Sequence, residues 1–275
     1  MARMRSGKDI AKSPMVCGIF FWLDKNLKYT NLTNEYKETY QIIEAEDENI
    51  RDYVEFNDDI YYCGKDLISS LFNGFSSKRA GVFGSIVVLN NKLYDIFDQD
   101  ILETLTDKKV YRIHHSWDRE LISFNDQLYY TRQDTGSQGG ELYRLNEIEG
   151  KFCGRTMVKQ RLKYDRHFRI LNENNFISSD HFSIALNGRL LPECYINGQP
   201  GSAIMHIECL DLGNVLDIFY SGYNNGLYRA KVNVKNRKLL SKEVVHDMGR
   251  RYRKFLLVTN ENIHDKLVDM GENDG

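Results

Sequence analysis

Proline is nearly missing from this chain. With three in 275 residues there is no proline-rich linker, and residues 1–275 read as one domain. Long apolar runs are missing too. None approaches the roughly 20 residues needed to span a bilayer, so no membrane partner is expected. The basic stretch Met1 to Ser13 has no apolar segment before a small-residue cleavage site, and it does not read as a secretory signal. Both ends, 1–13 and 270–275, are expected to be flexible.

Paired cysteines are also lacking. The five, Cys17, Cys63, Cys153, Cys194 and Cys209, are odd in number and contain no CxxC. They read as reduced thiols in a cytoplasmic protein. Neither a metal site nor a cofactor is expected, because tetrahedral metal sites usually declare paired Cys or His ligands. Charge of one sign is absent as well: 37 Lys and Arg against 39 Asp and Glu give a formal net charge of -2. Whole-chain charge therefore points to no polyanionic partner, and any such case must rest on local clustering.

Aromatics and hydrophobics are plentiful. There are 17 Tyr and 14 Phe, within a hydrophobic fraction of 41%. That suffices for a core, and the aromatics favour strands over helices. An apolar strand followed by an Asn/Asp turn and a second aromatic-rich strand recurs along the chain. It occurs at Phe20–Leu27, Tyr53–Tyr62, Ile86–Asp95 and Leu121–Tyr130. Asn and Asp supply the turn conformations that a tight hairpin requires. Turn starts at 24, 57, 90 and 125 lie 33, 33 and 35 residues apart.

Weaker copies follow at Phe168–Phe176 and Leu210–Leu216, and a late one at Phe255–Ile263. An alternative register runs through Asn187-Gly188 and Asn224-Asn225-Gly226. The first register aligns two third strands, Gly140–Leu145 and Gly226–Val232, and is preferred. Units of this size with up to four short strands match propeller blades. The expected fold is an all-β propeller of six or seven small blades, its ring closed by N- and C-terminal strands. The exception is 34–53, where Tyr36, Tyr40 and Ile43 are spaced as on an amphipathic helix.

The stretch Leu89-Asn90-Asn91-Lys92-Leu93-Tyr94-Asp95, with Ile101–Val110 behind it, resembles a unit of archaeal-type β-propeller repeat proteins. Those units carry an NGKLYD-like turn and an I-x-x-TL-x-x-K-x-V strand pair. The likeness is good over 85–131 and partial over 53–80, with Asn91 where the unit prefers Gly. It implies a propeller; it implies no shared activity.

Basic residues gather where an outer strand should pass to the next inner strand. The candidate binding residues are Lys78 and Arg79; Arg112, His114, His115, Trp117 and Arg119; Arg161, Lys163, Arg166 and His167; and Arg250, Arg251 and Arg253. Converging on one rim, they would make a positive face on a near-neutral protein, suited to a polyanion or an acidic protein partner. Trp117, Tyr164 and Tyr252 would supply stacking surfaces. The competing account makes these arginines plugs between blades or solvated loop residues. His114-His115 reads as a pair of ordinary loop histidines. The glycine-rich segment 132–140 lacks the GKS or GKT ending of a phosphate-binding loop and reads as a long hairpin loop. No small-molecule ligand is indicated.

The expected function is a non-enzymatic binding or scaffold propeller that engages a polyanion or an acidic protein. The alternative is a hydrolase acting on a glycan or phosphoester in the central channel. It would need facing carboxylates, and Glu55 and Asp211 are the clearest acids on the assigned inner strands.

Overall fold

The structure is a computed structural model. It describes residues 15–23, 25–33, 37–44, 50–79, 83–113, 120–133, 140–162, 167–172, 175–179, 183–191, 204–222, 226–246 and 254–273.

Three strands come first and lack an inner partner of their own: β1 (Gly18–Leu23), β2 (Asn26–Asn31) and β3 (Thr39–Glu44). The first complete blade follows as β4 (Asp52–Phe56), β5 (Asp59–Cys63), β6 (Leu67–Ser70) and β7 (Ser76–Lys78). The second is β8 (Phe83–Leu89), β9 (Lys92–Phe97), β10 (Asp100–Glu103) and β11 (Lys108–Arg112). The third is β12 (Leu121–Phe124), β13 (Gln127–Gln133), β14 (Gly140–Ile148) and β15 (Lys151–Leu162). The fourth is β16 (His167–Asn172), β17 (Asn175–Ser179), β18 (Ile184–Leu186) and β19 (Arg189–Leu190). The fifth is β20 (Ile204–Asp211), β21 (Val215–Gly222), β22 (Gly226–Asn233) and β23 (Leu239–His246). Last come β24 (Phe255–Val258) and the helix α1 (Glu261–Asn273).

Each blade is a four-stranded antiparallel meander, and the sixth has the order β24-β1-β2-β3. Its inner strand therefore comes from the C-terminal part of the chain and its other three from the N-terminal part. Inner strands touch in sequence around the ring: β4 meets β8, then β12, β16, β20 and β24, which returns to β4. The chain is thus a six-bladed propeller, with the ring closed as the sequence leads one to expect.

The hairpins are built as the Asn/Asp pairs require. Asn57-Asp58, Asn90-Asn91 and Asn125-Asp126 all have positive φ, between 47° and 57°. They join strands paired at Phe56↔Asp59, Leu89↔Lys92 and Phe124↔Gln127. Two central residues in the left-handed region give the turn twist that matches right-twisted strands. The preferred register also holds. Gly140–Ile148 and Gly226–Asn233 are both third strands, whereas Asn187-Gly188 turns from a third strand to a fourth.

Three expectations are corrected. The late copy, Phe255–Ile263, is not a hairpin. Asn260 Oδ1 accepts the backbone N–H of Asn262 (2.9 Å) and of Ile263 (3.4 Å). A residue type suited to turns is equally suited to capping a helix, and here it starts α1. The copy at 20–27, joining β1 to β2, is no inner-strand hairpin either, so six blades remain where seven hairpins were counted. In 34–53 the expected helix is replaced by β3. Ile42 is buried on it between exposed Gln41 and half-buried Ile43. Pairing with β2 overrides a helical spacing carried by only three residues.

Residues Glu261–Asn273 form α1. Ile263 and Leu267 are fully buried on it against Tyr29, Ile42, Tyr53 and Val258. Gly271 makes the fit possible, since a Cβ there would lie 2.3 Å from Tyr40 Cβ. Lys266 Nζ donates to Asp58 O (2.8 Å), and Asn260 donates to Asp58 Oδ1 (2.7 Å). The helix therefore bridges the sixth blade, which has no covalent closure, to the first hairpin turn of the first blade.

Candidate functional site

The outer strands end on the face where the inner strands begin, because each blade is an antiparallel meander of four strands and all six inner strands run the same way. At that face each inner strand contributes a polar side chain at or beside its start. In order these are Asp52, Ser85, Glu120, His167 with Arg169, His206 with Glu208, and Lys254.

Hydrogen bonds and ion pairs join all of these groups but His167 into one network, and the His167 ring stands 5.9 Å from that of His206. Ser85 donates to Asp52 Oδ2 (2.6 Å), which also accepts the backbone N–H of Ile86 (3.1 Å). Lys254 Nζ lies 3.2 Å from Asp52 Oδ1 and 3.7 Å from Glu120 Oε1. Arg169 Nη1 donates to Glu120 Oε1 at 2.6 Å. On its other side Arg169 holds Glu208 in a bidentate grip, Nε to Oε2 at 3.0 Å and Nη2 to Oε1 at 2.7 Å. His206 Nε2 lies 3.0 Å from the same Oε1. Arg169 suits this position because its planar fork satisfies two carboxylates on different blades. Local sequence sets up the reach. Along β16 side chains alternate, so Phe168 packs into the third blade against Ile122 and Leu142 while Arg169 turns to the fifth.

Burial and charge set the protonation of the cluster. Burial works against the ionised form of Glu120, but Arg169 and Lys254 outweigh it and hold this carboxyl well below the usual range. Glu208 is likewise opposed by burial and brought to about 2 by Arg169 and the hydrogen bond from His206. Burial takes His167 down to about 3, only partly offset by Glu120, and lowers His206 as well. Both carboxylates are therefore ionised and both imidazoles neutral at neutral pH. Neither Glu120 nor Glu208 can act as the protonated acid that glycoside hydrolysis needs.

A pH dependence follows. Unfolded, His167 takes up a proton near 6.5; folded, it stays neutral to about 3. Between those values the unfolded chain binds more protons, so this histidine makes stability fall as pH falls through 6.5. His206 adds in the same sense, while Arg169 and Lys254 face it as fixed cations. Asp95, raised by burial to about 6, acts oppositely in the same window. The comparison is therefore between chains: urea midpoints of His167→Gln should vary less with pH, from above 6.5 down to about 4.5, than those of the wild type. Equal slopes would mean that His167 is not held neutral.

The candidate rim residues are placed as follows. Lys78 ends β7. Arg79, 10% exposed, turns into the seam between the first and second blades. There it donates to buried Asp95 (2.8 Å), pairs with Asp107 and reaches the carbonyl of Thr104 (3.3 Å). Arg79 is the inter-blade plug of the competing account. Arg112 ends β11, is 59% exposed and lies 4.0 Å from Asp100. Arg161 lies on β15, and His167 opens β16 inside the network. His114, His115, Trp117, Arg119, Lys163, Arg166, Arg250, Arg251 and Arg253 lie outside the described residues, as do Tyr164, Tyr252 and most of the glycine-rich segment. Glu55, one of the acids singled out on inner strands, accepts from the backbone N–H of Thr259 (3.0 Å) and ties β4 to the residues after β24.

Asp52, Glu120, Arg169, Glu208 and Lys254 are absent from the candidate residues read off the sequence. A usable signal was present. A charged residue at the head of an apolar inner strand is out of place unless something pairs with it.

Comparison with known proteins adds the fold. No family model matches the chain, and no curated protein does. Among solved structures, TolB from Acinetobacter baumannii is similar with a TM-score of 0.61 at 12% identity, covering 89% of this chain and 68% of that one. The likeness is one of fold. U3-55K is similar at a TM-score of 0.52 and 14% identity, over 84% of this chain and 79% of that one. Kluyveromyces lactis Hsv2 aligns at a TM-score of 0.44 and 12% identity, over 70% of this chain; this chain spans 62% of its length, under two thirds.

Proposed function

We propose that this chain is a non-enzymatic binding propeller whose partner is a polyanion or an acidic protein surface, met on the face where inner strands begin. One observation carries the reading. The segments holding Arg112 to Arg119, Arg161 to His167, and Arg250 to Arg253 each join an outer strand to the next inner strand, so their anchoring strand ends share one face. The network supports a binder over a hydrolase, since Glu120 and Glu208 are paired with Arg169 and stay ionised. Arg79 belongs to the seam and does not count towards this surface. The likeness of residues 85–131 to archaeal-type repeat units fits a propeller and names no partner.

The test is fluorescence anisotropy with labelled single-stranded RNA and duplex DNA across a salt series. Wild type is run beside a variant with Arg161, Arg166, Arg250 and Arg251 changed to Glu. Binding by the wild type should weaken steeply with salt, log K falling by about 0.7–0.9 per phosphate neutralised for each unit of log salt, and the folded variant should lose it. No binding at low salt would remove nucleic acid as the ligand.

A further inference from the structure

We propose that Glu120, His167 and His206 form a binding site for a divalent transition metal of the zinc class, set among the heads of three consecutive inner strands. Each of the three offers a ligand atom within 4.8 Å of those of the other two. Two imidazoles and a carboxylate are the donor set that such metals select.

His206 carries the second observation. Its side chain is 1% exposed, and its Nδ1 is buried with no hydrogen-bond partner among the described residues. The other nitrogen, Nε2, lies 3.0 Å from Glu208 Oε1. A carboxylate only accepts, and Glu208 at 3.0 Å is closer than Arg169 Nη2, which lies 3.5 Å from the same nitrogen, so Nε2 carries the proton and Nδ1 is left with a bare lone pair in the interior. An unpartnered buried acceptor is costly, and a lone pair aimed by a carboxylate on the opposite nitrogen is how metal-ligating histidines are set. Glu208 is then a positioning residue that fixes the tautomer and orientation of the ring.

Glu120 can serve without dismantling the network. Its Oε1 takes Arg169 at 2.6 Å, while among the described residues Oε2 accepts a long 3.4 Å hydrogen bond from the backbone N–H of Phe168 and no other. Charge favours a cation despite the neighbouring Arg169 and Lys254. Three carboxylates (Asp52, Glu120, Glu208) face two cations in the network, leaving one negative charge among the described residues. Three protein ligands leave a coordination position open to water or an anionic group.

The experiment titrates chelator-treated protein with Co(II), follows visible d–d absorption, and then displaces it with Zn(II). The wild type should bind a single equivalent, and its thermal midpoint should rise with metal. His167→Ala should abolish the absorption, and so should His206→Ala. Glu208→Gln, which leaves all three ligands in place, should weaken binding by about 10–100-fold. If His206→Ala fails to fold, the half-buried His167 and the Glu208 variant decide the matter. No binding by the wild type, or undiminished binding in His167→Ala, overturns the proposal.

Discussion

Replacing Arg169 with alanine should lower the unfolding free energy by about 3–5 kcal/mol, the usual cost of removing one partner from a buried ionic network. Arg169 is the shared cation of Glu120 and Glu208, so its loss strands two carboxylates on different blades. Lys254, at 3.7 Å from Glu120, compensates one of them poorly and the other not at all. The cost belongs to the stranded charges rather than to the lost side chain. A triple variant, Arg169→Met with Glu120→Gln and Glu208→Gln, should therefore recover part of the stability. Arg112→Ala, at an exposed position near Asp100, should stay within about 0.5 kcal/mol of the wild type. Urea unfolding of the four chains checks this. An Arg169→Ala midpoint equal to that of the wild type would mean that the network does not hold the ring axis.

The second large effect should come from α1. Ile263→Ala and Leu267→Ala should each cost about 2–5 kcal/mol, because both side chains are fully buried between the helix and the seam of the sixth and first blades. The two sit one helical turn apart over shared neighbours, so the double variant need not show the sum. The effect should be large because this is where the ring closes without a covalent link. β24 holds β1 by pairing Gly18↔Val258 through Phe21↔Phe255, and α1 adds the apolar contact that backs that pairing. The measurement is again the urea midpoint. Losses below about 1 kcal/mol would show the helix contributing little to closure.

Local signals were legible in the sequence wherever residue types act on their own backbone. Asn57-Asp58, Asn90-Asn91 and Asn125-Asp126 adopt the left-handed conformations that their side chains tolerate, and the alternating apolar strands around them pair as the turns dictate. From these came the all-β class, the repeat, its preferred register and the closure by both ends of the chain. The same local logic failed where one residue type serves two ends. Asn260 caps a helix where a hairpin turn was expected, and with that the count of blades moved from six or seven to six. The helix expected in 34–53 gave way because β3 has a partner strand waiting in β2, which no spacing within the segment reveals.

The charged axis was decided by tertiary structure. Asp52, Glu120, Arg169, Glu208 and Lys254 lie in or beside five different inner strands and far from one another in sequence. Nothing local distinguishes Arg169, which grips two carboxylates, from Arg112, which is open to solvent. Propeller closure brings six strand heads together around one axis, and at that distance burial and Coulomb forces make ionised carboxylates of Glu120 and Glu208 and neutral imidazoles of His167 and His206. Residue types along each hairpin set how a strand turns back on its neighbour; closure of the ring set which charges meet, because pairing across blades joins residues that are far apart in the chain.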